Sequence, residues 1–169
     1  MSIDDAARPR LLPPRARAVP VLSTMAASLL QALPLVATAP VLPPTGLLML
    51  LGWRLLRPEL WHAWVALPLG LFDDLVGGHP LGTATTLWTS GFLVLDMIDD
   101  RLIWRDYWVE WGVATALIAL CVIGGWWIAR FLYGESAFAG VGAQALVAIF
   151  CFPAVVRLCA MLDRWRLRR

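Results

Sequence analysis

No lysine occurs in this chain: all fourteen basic side chains are arginines, so positive charge is carried only by guanidinium groups that stay charged. Charge of either sign is scarce, at 15% of residues against 60% hydrophobic. A soluble domain of 169 residues has too little interior to hide that much apolar surface, which excludes a water-soluble globular domain and points to lipid. The net charge of +2 is too small for a nucleic-acid binder. Cysteine is also sparse. Cys121, Cys151 and Cys159 lie inside apolar runs without CxxC spacing and read as small core or lipid-facing residues, not as a disulfide or metal site. A Walker motif, a glycine-rich phosphate loop and a metal-ligand cluster are all missing, so no cofactor is expected.

What remains is a series of apolar runs: Val19 to Ala39, Pro44 to Leu56, Trp61 to Val76, Leu81 to Ile98, Val109 to Leu132 and Gly140 to Leu162. They predict an all-α polytopic membrane bundle of about six transmembrane helices. Residues 1–18, with Arg8, Arg10, Arg15 and Arg17 among Pro9, Pro13 and Pro14, read as a flexible tail, because clustered prolines deny a regular helix. Residues 19–162 form the membrane domain, and 163–169 a basic C-terminal tail. Pro34 is expected to kink the first span and Pro40 to end it. Ala37-Thr38-Ala39 matches a leader cleavage site, but the run before it is too long and Pro40 follows directly, so it reads as a span. The second run is the least secure, short enough to need tilt or local thinning of the bilayer.

The arginines give the bundle a direction. With six spans and the N-terminus inside, thirteen of fourteen fall on the cytoplasmic side, in the two tails, around Arg54–His62 and around Asp99–Asp106. Arg130 alone falls outside, where a long side chain can snorkel. The positive-inside rule therefore places both termini in the cytoplasm. The basic C-terminus also suits anionic lipid. Many of the ten tryptophans sit near run ends, with Trp126 and Trp127 suggesting an outer belt and Trp104, Trp108 and Trp111 an inner one.

Asp73 and Asp74 are the acids to explain, since an ionised group at a span centre costs about 2.5–3.5 kcal/mol. Neighbours on a helix point about 100° apart, so the two cannot face one small site. The preferred reading has one carboxylate accepting hydrogen bonds from backbone N–H groups opening the fourth helix, or from Thr83, Thr85 or Thr86. On that basis Asp74→Asn should be mild and Asp74→Leu should lower folded yield. An aspartyl-peptidase reading needs Asp74 paired with Asp96, which the topology sets at opposite faces. Ser90 lacks the expected preceding glycine, and His62 and His79 lie in opposite loops, against a serine hydrolase. Gly140, Gly142 and Ala143, together with Gln144, would let the sixth helix approach a neighbour closely and hydrogen-bond across it.

The stretch Leu69-Gly70-Leu71-Phe72-Asp73-Asp74-Leu75-Val76-Gly77-Gly78-His79-Pro80-Leu81-Gly82 resembles the signature of the rod-shape-determining protein MreD family. In that family a Gly-Leu-x-x-Asp segment ends one helix and Pro-Leu-Gly opens the next after a glycine-containing turn. Gly70, Leu71, Asp74, Pro80, Leu81 and Gly82 match, while Asp73 falls on a variable position. Length, the proline-rich break after the first span and Arg57-Pro58 after the second agree; the connection at Asp99–Glu110 is more charged than the family's. The resemblance implies a non-enzymatic scaffold of the cell-wall elongation machinery, required for rod shape and peptidoglycan synthesis. It implies a fold like that of the substrate-binding subunits of vitamin importers, an MreC-like bitopic partner, and cooperation with MreB, RodA and its transpeptidase partner. The alternative from the residues is a substrate-binding membrane subunit of a small-molecule transporter, suggested by the threonine-rich fourth helix and the intramembrane acid. An outward-opening polar pocket walled by Asp74 would favour that alternative.

Overall fold

Proline and glycine set most of the helix boundaries. In this computed structural model residues 14–32, 42–99, 107–134 and 139–167 are described, and among them all regular structure is helical. The elements are α1 (Pro14–Ala32), α2 (Thr45–Leu56), a 3-10 turn at Pro58–Leu60, α3 (Ala63–Gly77), α4 (Thr83–Asp99), α5 (Tyr107–Tyr133) and α6 (Ala139–Leu167). Pro44 precedes α2, and its carbonyl accepts the Leu48 N–H at 3.0 Å. Pro58 forces Arg57 out of helical conformation and ends α2. Gly78, at φ 65°, closes α3, and Gly82, at φ 96°, leads into α4. Both conformations are ones that a side chain disfavours.

The helices occupy the six apolar runs, with corrections at both ends. α1 begins at Pro14, so Arg15 and Arg17 belong to a helix and not to the expected tail. Proline suits a first turn because its missing N–H would have no helical partner there. Residues 1–13 lie outside the described residues, as do Pro34 and Pro40. α6 runs on to Leu167 and takes up most of the expected basic tail. Two segments, Trp108–Tyr133 and Gly140–Leu167, are long and apolar enough to cross a membrane. Their apolar windows are only 22% and 17% buried, whereas a soluble core helix would be mostly enclosed. By rise per residue, α2, α3 and α4 measure about 18, 22 and 26 Å, short of the ~30 Å hydrocarbon core.

The short second helix is the centre of the bundle. Gly46 through Arg54 are all buried, so α2 is enclosed on every side. Its glycines make this possible: a Cβ on Gly46 would meet Ser28 of α1, Asp73 Oδ1 of α3 at 2.7 Å and Trp88 of α4 at 3.2 Å. A Cβ on Gly52 would meet Cys159 Sγ of α6 at 3.0 Å. Three tryptophans also depart from the interfacial expectation. Trp53, Trp61 and Trp88 are core residues, and the Trp53 indole N–H donates to Ser23 Oγ at 2.9 Å. Trp64, Trp108, Trp127 and Trp165 are exposed, while Trp104 lies outside the described residues.

Of the small and polar residues expected to bring α6 close to a neighbour, Gln144 hydrogen-bonds across to Leu42, while Gly142 has open space around a would-be Cβ. α3 and α4 meet at Gly70, where a Cβ would lie 2.7 Å from Thr85 Cα and 2.8 Å from Thr85 N. Backbone cannot step aside as a flexible side chain can. Gly70→Ala is therefore expected to destabilise by about 1–3 kcal/mol through overpacking. Gly142→Ala should gain up to about 1 kcal/mol in helix propensity. Thermal unfolding of the two variants in detergent checks the pair, and equal melting temperatures would contradict this packing.

Candidate functional site

On α3 the buried positions Ala66, Leu69, Gly70, Asp73 and Asp74 form one helical stripe. The stripe broadens at its C-terminal end, so both acids are interior but face different neighbours. Asp74 turns toward α4. Its Oδ2 accepts from the Gly82 N–H at 2.9 Å, the Thr85 N–H at 3.2 Å and Thr85 Oγ1 at 3.0 Å. Its Oδ1 accepts from the Ala84 N–H at 2.7 Å. An ionised carboxylate has about four acceptor sites. Asp74 is 1% exposed with four bonds made, and those bonds satisfy N–H groups that the first turn of α4 otherwise leaves open.

Asp73 turns the other way, toward α1 and α2, and is 5% exposed. Ser28 and His79 lie beside its carboxylate. Next to it is a cavity of about 250 Å³, reaching Gln31 on α1, Thr83 and Trp88 on α4, Trp126 on α5 and Gln144 on α6. Asp73, and not Asp74, is the acid in its wall. Thr83 is 7% exposed and its hydroxyl has no hydrogen-bond partner. The Gln31 side-chain amide N–H donates to Thr45 Oγ1 at 3.5 Å and that of Gln144 to the Leu42 carbonyl at 3.0 Å. A further, mostly apolar cavity of about 400 Å³ lies between α2, α5 and α6 near Pro153.

The opposite end of the bundle holds the charge. Arg54, expected in a loop, is in the last turn of α2 and 4% exposed. Two carboxylates one turn apart on α4 hold it there: Asp96, and Asp99 at 2.9 Å. Beside this group, Asp163 of α6 pairs with Arg57 at 3.0 Å and Arg166 at 2.6 Å, and the Arg166 guanidinium lies 5.2 Å over the Trp53 ring. Asp163 and Arg166 are both buried, which a solvated tail would not be. Arg101, Arg105 and Asp106 lie outside the described residues.

The structure brings the sequence motif together unevenly. Gly70, Asp74 and Gly82 interlock, and Pro80 borders the cavity. Leu71 and Leu81 project outward at 42% and 70% exposure. The Asp74–Asp96 dyad is not assembled: residues 84, bonded to Asp74, and 96 are about 18 Å apart along α4. His62 precedes α3 and His79 follows it, at opposite ends of that helix. Asp73 and Thr83 were both named from the sequence, but not their meeting at this cavity, and Thr83, offered as a donor to the carboxylate, makes no bond to it. The stripe of small and apolar residues at 66, 69 and 70 was the available signal for Asp73, since continuing it one turn includes both acids. The chain matches no protein-family model, no curated protein and no solved structure.

Proposed function

We propose that the chain is a non-enzymatic, multi-pass scaffold of the bacterial inner membrane, an MreD-like subunit of the cell-wall elongation complex that binds an MreC-like bitopic protein. The observation that carries this reading is how the motif residues divide. Gly70, Asp74 and Gly82 build a rigid turn between α3 and α4, which accounts for their residue types. Leu71 and Leu81 have no such internal role, being exposed on either side of that turn together with Leu75 at 64%. A large apolar side chain held outward on a rigid support suits contact with another chain or with lipid.

Support for a membrane setting comes from the largely unburied apolar surfaces of α5 and α6. In the six-span arrangement the turn and the cavity are periplasmic, and the Arg54 and Asp163 clusters are cytoplasmic. The decisive experiment is co-purification with an MreC-like protein in detergent or nanodiscs. A stable complex is expected, and the Leu71→Ala/Leu81→Ala double variant should lose it at least tenfold while keeping its folded yield. Absence of any complex with the unaltered chain would refute the scaffold reading. The binding-subunit reading has the cavity beside Asp73 in its favour and expects co-purification with a transport partner instead.

A further inference from the structure

We infer that the cavity between α1, α4, α5 and α6 is a binding site for a small organic ammonium ion with an apolar body about the size of an aromatic ring. The charge of the wall carries this first. Asp73 is the carboxylate of the wall, with His79 and Cys121 as its other ionisable residues, and among the described residues no arginine lines it, in a chain with fourteen of them. A carboxylate at 5% exposure loses most of its hydration, and a cation brought to it restores the lost stabilisation.

Hydrogen-bonding capacity points the same way. Gln31 and Gln144 each direct one amide N–H away, to Thr45 and Leu42, which leaves each of them a carbonyl oxygen and one further N–H. The Asp73 carboxylate and the two amide oxygens offer acceptors to an ammonium group, which has several donors and no acceptor. The Thr83 hydroxyl is a buried polar group without a partner, and a ligand can satisfy it. The rest of the wall is apolar and includes Trp126, whose ring already carries the Arg130 guanidinium at 5.3 Å, and Trp88, whose ring faces attract cations as well as hydrocarbon. About 250 Å³ lies just below the usual range for drug-sized ligands, which limits the occupant to a single ring with a short side chain. A metal ion is a poorer fit. Among the described residues no three His, Cys, Asp or Glu side chains are grouped to hold one.

This inference is independent of the scaffold reading, because loss of partner binding would leave the cavity unchanged. The test is isothermal titration of 2-phenylethylamine into the full chain in nanodiscs of zwitterionic lipid, with empty nanodiscs subtracted and the anion 3-phenylpropionate as control. Saturable one-to-one binding of the amine is expected, with none of the anion. Asp73→Asn should weaken it at least tenfold. Gly125→Leu provides the second variant. Gly125 lines the cavity and its Cβ would meet only Thr83 Cγ2, at 3.9 Å, so the added side chain starts from open space at the wall. It should also reduce binding at least tenfold at an unchanged melting temperature. No saturable binding, equal binding of the anion, or undiminished binding by a folded Gly125→Leu variant would overturn the assignment.

Discussion

Replacing Asp74 by asparagine is expected to lower stability by on the order of 2–3 kcal/mol, although the substitution keeps size and shape. The sequence alone suggested a mild effect, on the ground that an amide can still accept. The geometry changes that expectation, because both carboxylate oxygens are in use, Oδ2 for Gly82 and Thr85 and Oδ1 for Ala84. Asparagine offers one oxygen and one NH₂. Whichever way it turns, a donor faces a donor, and at least one buried N–H loses its acceptor. Asp74→Leu leaves all three N–H groups and the Thr85 hydroxyl without that acceptor and should cost about 4 kcal/mol or more. Thr85→Val removes a single bond and should cost about 1 kcal/mol. Melting temperatures in detergent should fall in that order. An asparagine variant that melts with the unaltered chain would contradict the anchoring role. Loss of a partner or ligand at unchanged melting temperature would instead move Asp74 into the functional surface.

Why the turn was legible and its neighbourhood was not follows from the range of the interactions. Asp74 bonds to residues 82 to 85, close enough in sequence for capping rules to anticipate. The helix boundaries at Gly78, Gly82 and Pro58 were likewise local. Asp73 meets Ser28 from a distant part of the chain, and Gly46 takes its meaning from helices on both sides of it in sequence. No spacing rule reports such meetings. The enclosure of α2 was hidden for a related reason: a short apolar run reads the same whether it lies in lipid or at the centre of a bundle. Trp53 and Trp88 were misplaced by a rule that is statistical and gives way when an indole can pack in a core and, for Trp53, find a hydroxyl acceptor. The α5 and α6 surfaces were the easy part, since composition alone determines what may surround them.

At the arginine-rich end, neutralising Asp96 and Asp99 together is expected to be more damaging than removing the arginine they hold. Arg54 is 5% exposed at its side chain, against 42% for Asp96 and 30% for Asp99. After Arg54→Met the two carboxylates can turn into water, and methionine fills the buried position beside Phe92, so the loss should be small. After Asp96→Asn/Asp99→Asn the guanidinium keeps its charge but has lost both counter-charges where water cannot replace them. Breaking a buried pair in this direction costs about 3–5 kcal/mol, and the nearby Phe92 ring, 5.9 Å from the guanidinium carbon, offsets only part of that. Each single asparagine variant should be much milder, because the other acid remains one turn away. Adding Arg54→Met to the double variant should therefore recover most of the lost stability, although a further interaction has been deleted. Thermal unfolding of the unaltered chain and these five variants decides the matter. If the triple variant melts below the double one, the arginine is not held by these acids in the way described, and its burial needs another cause.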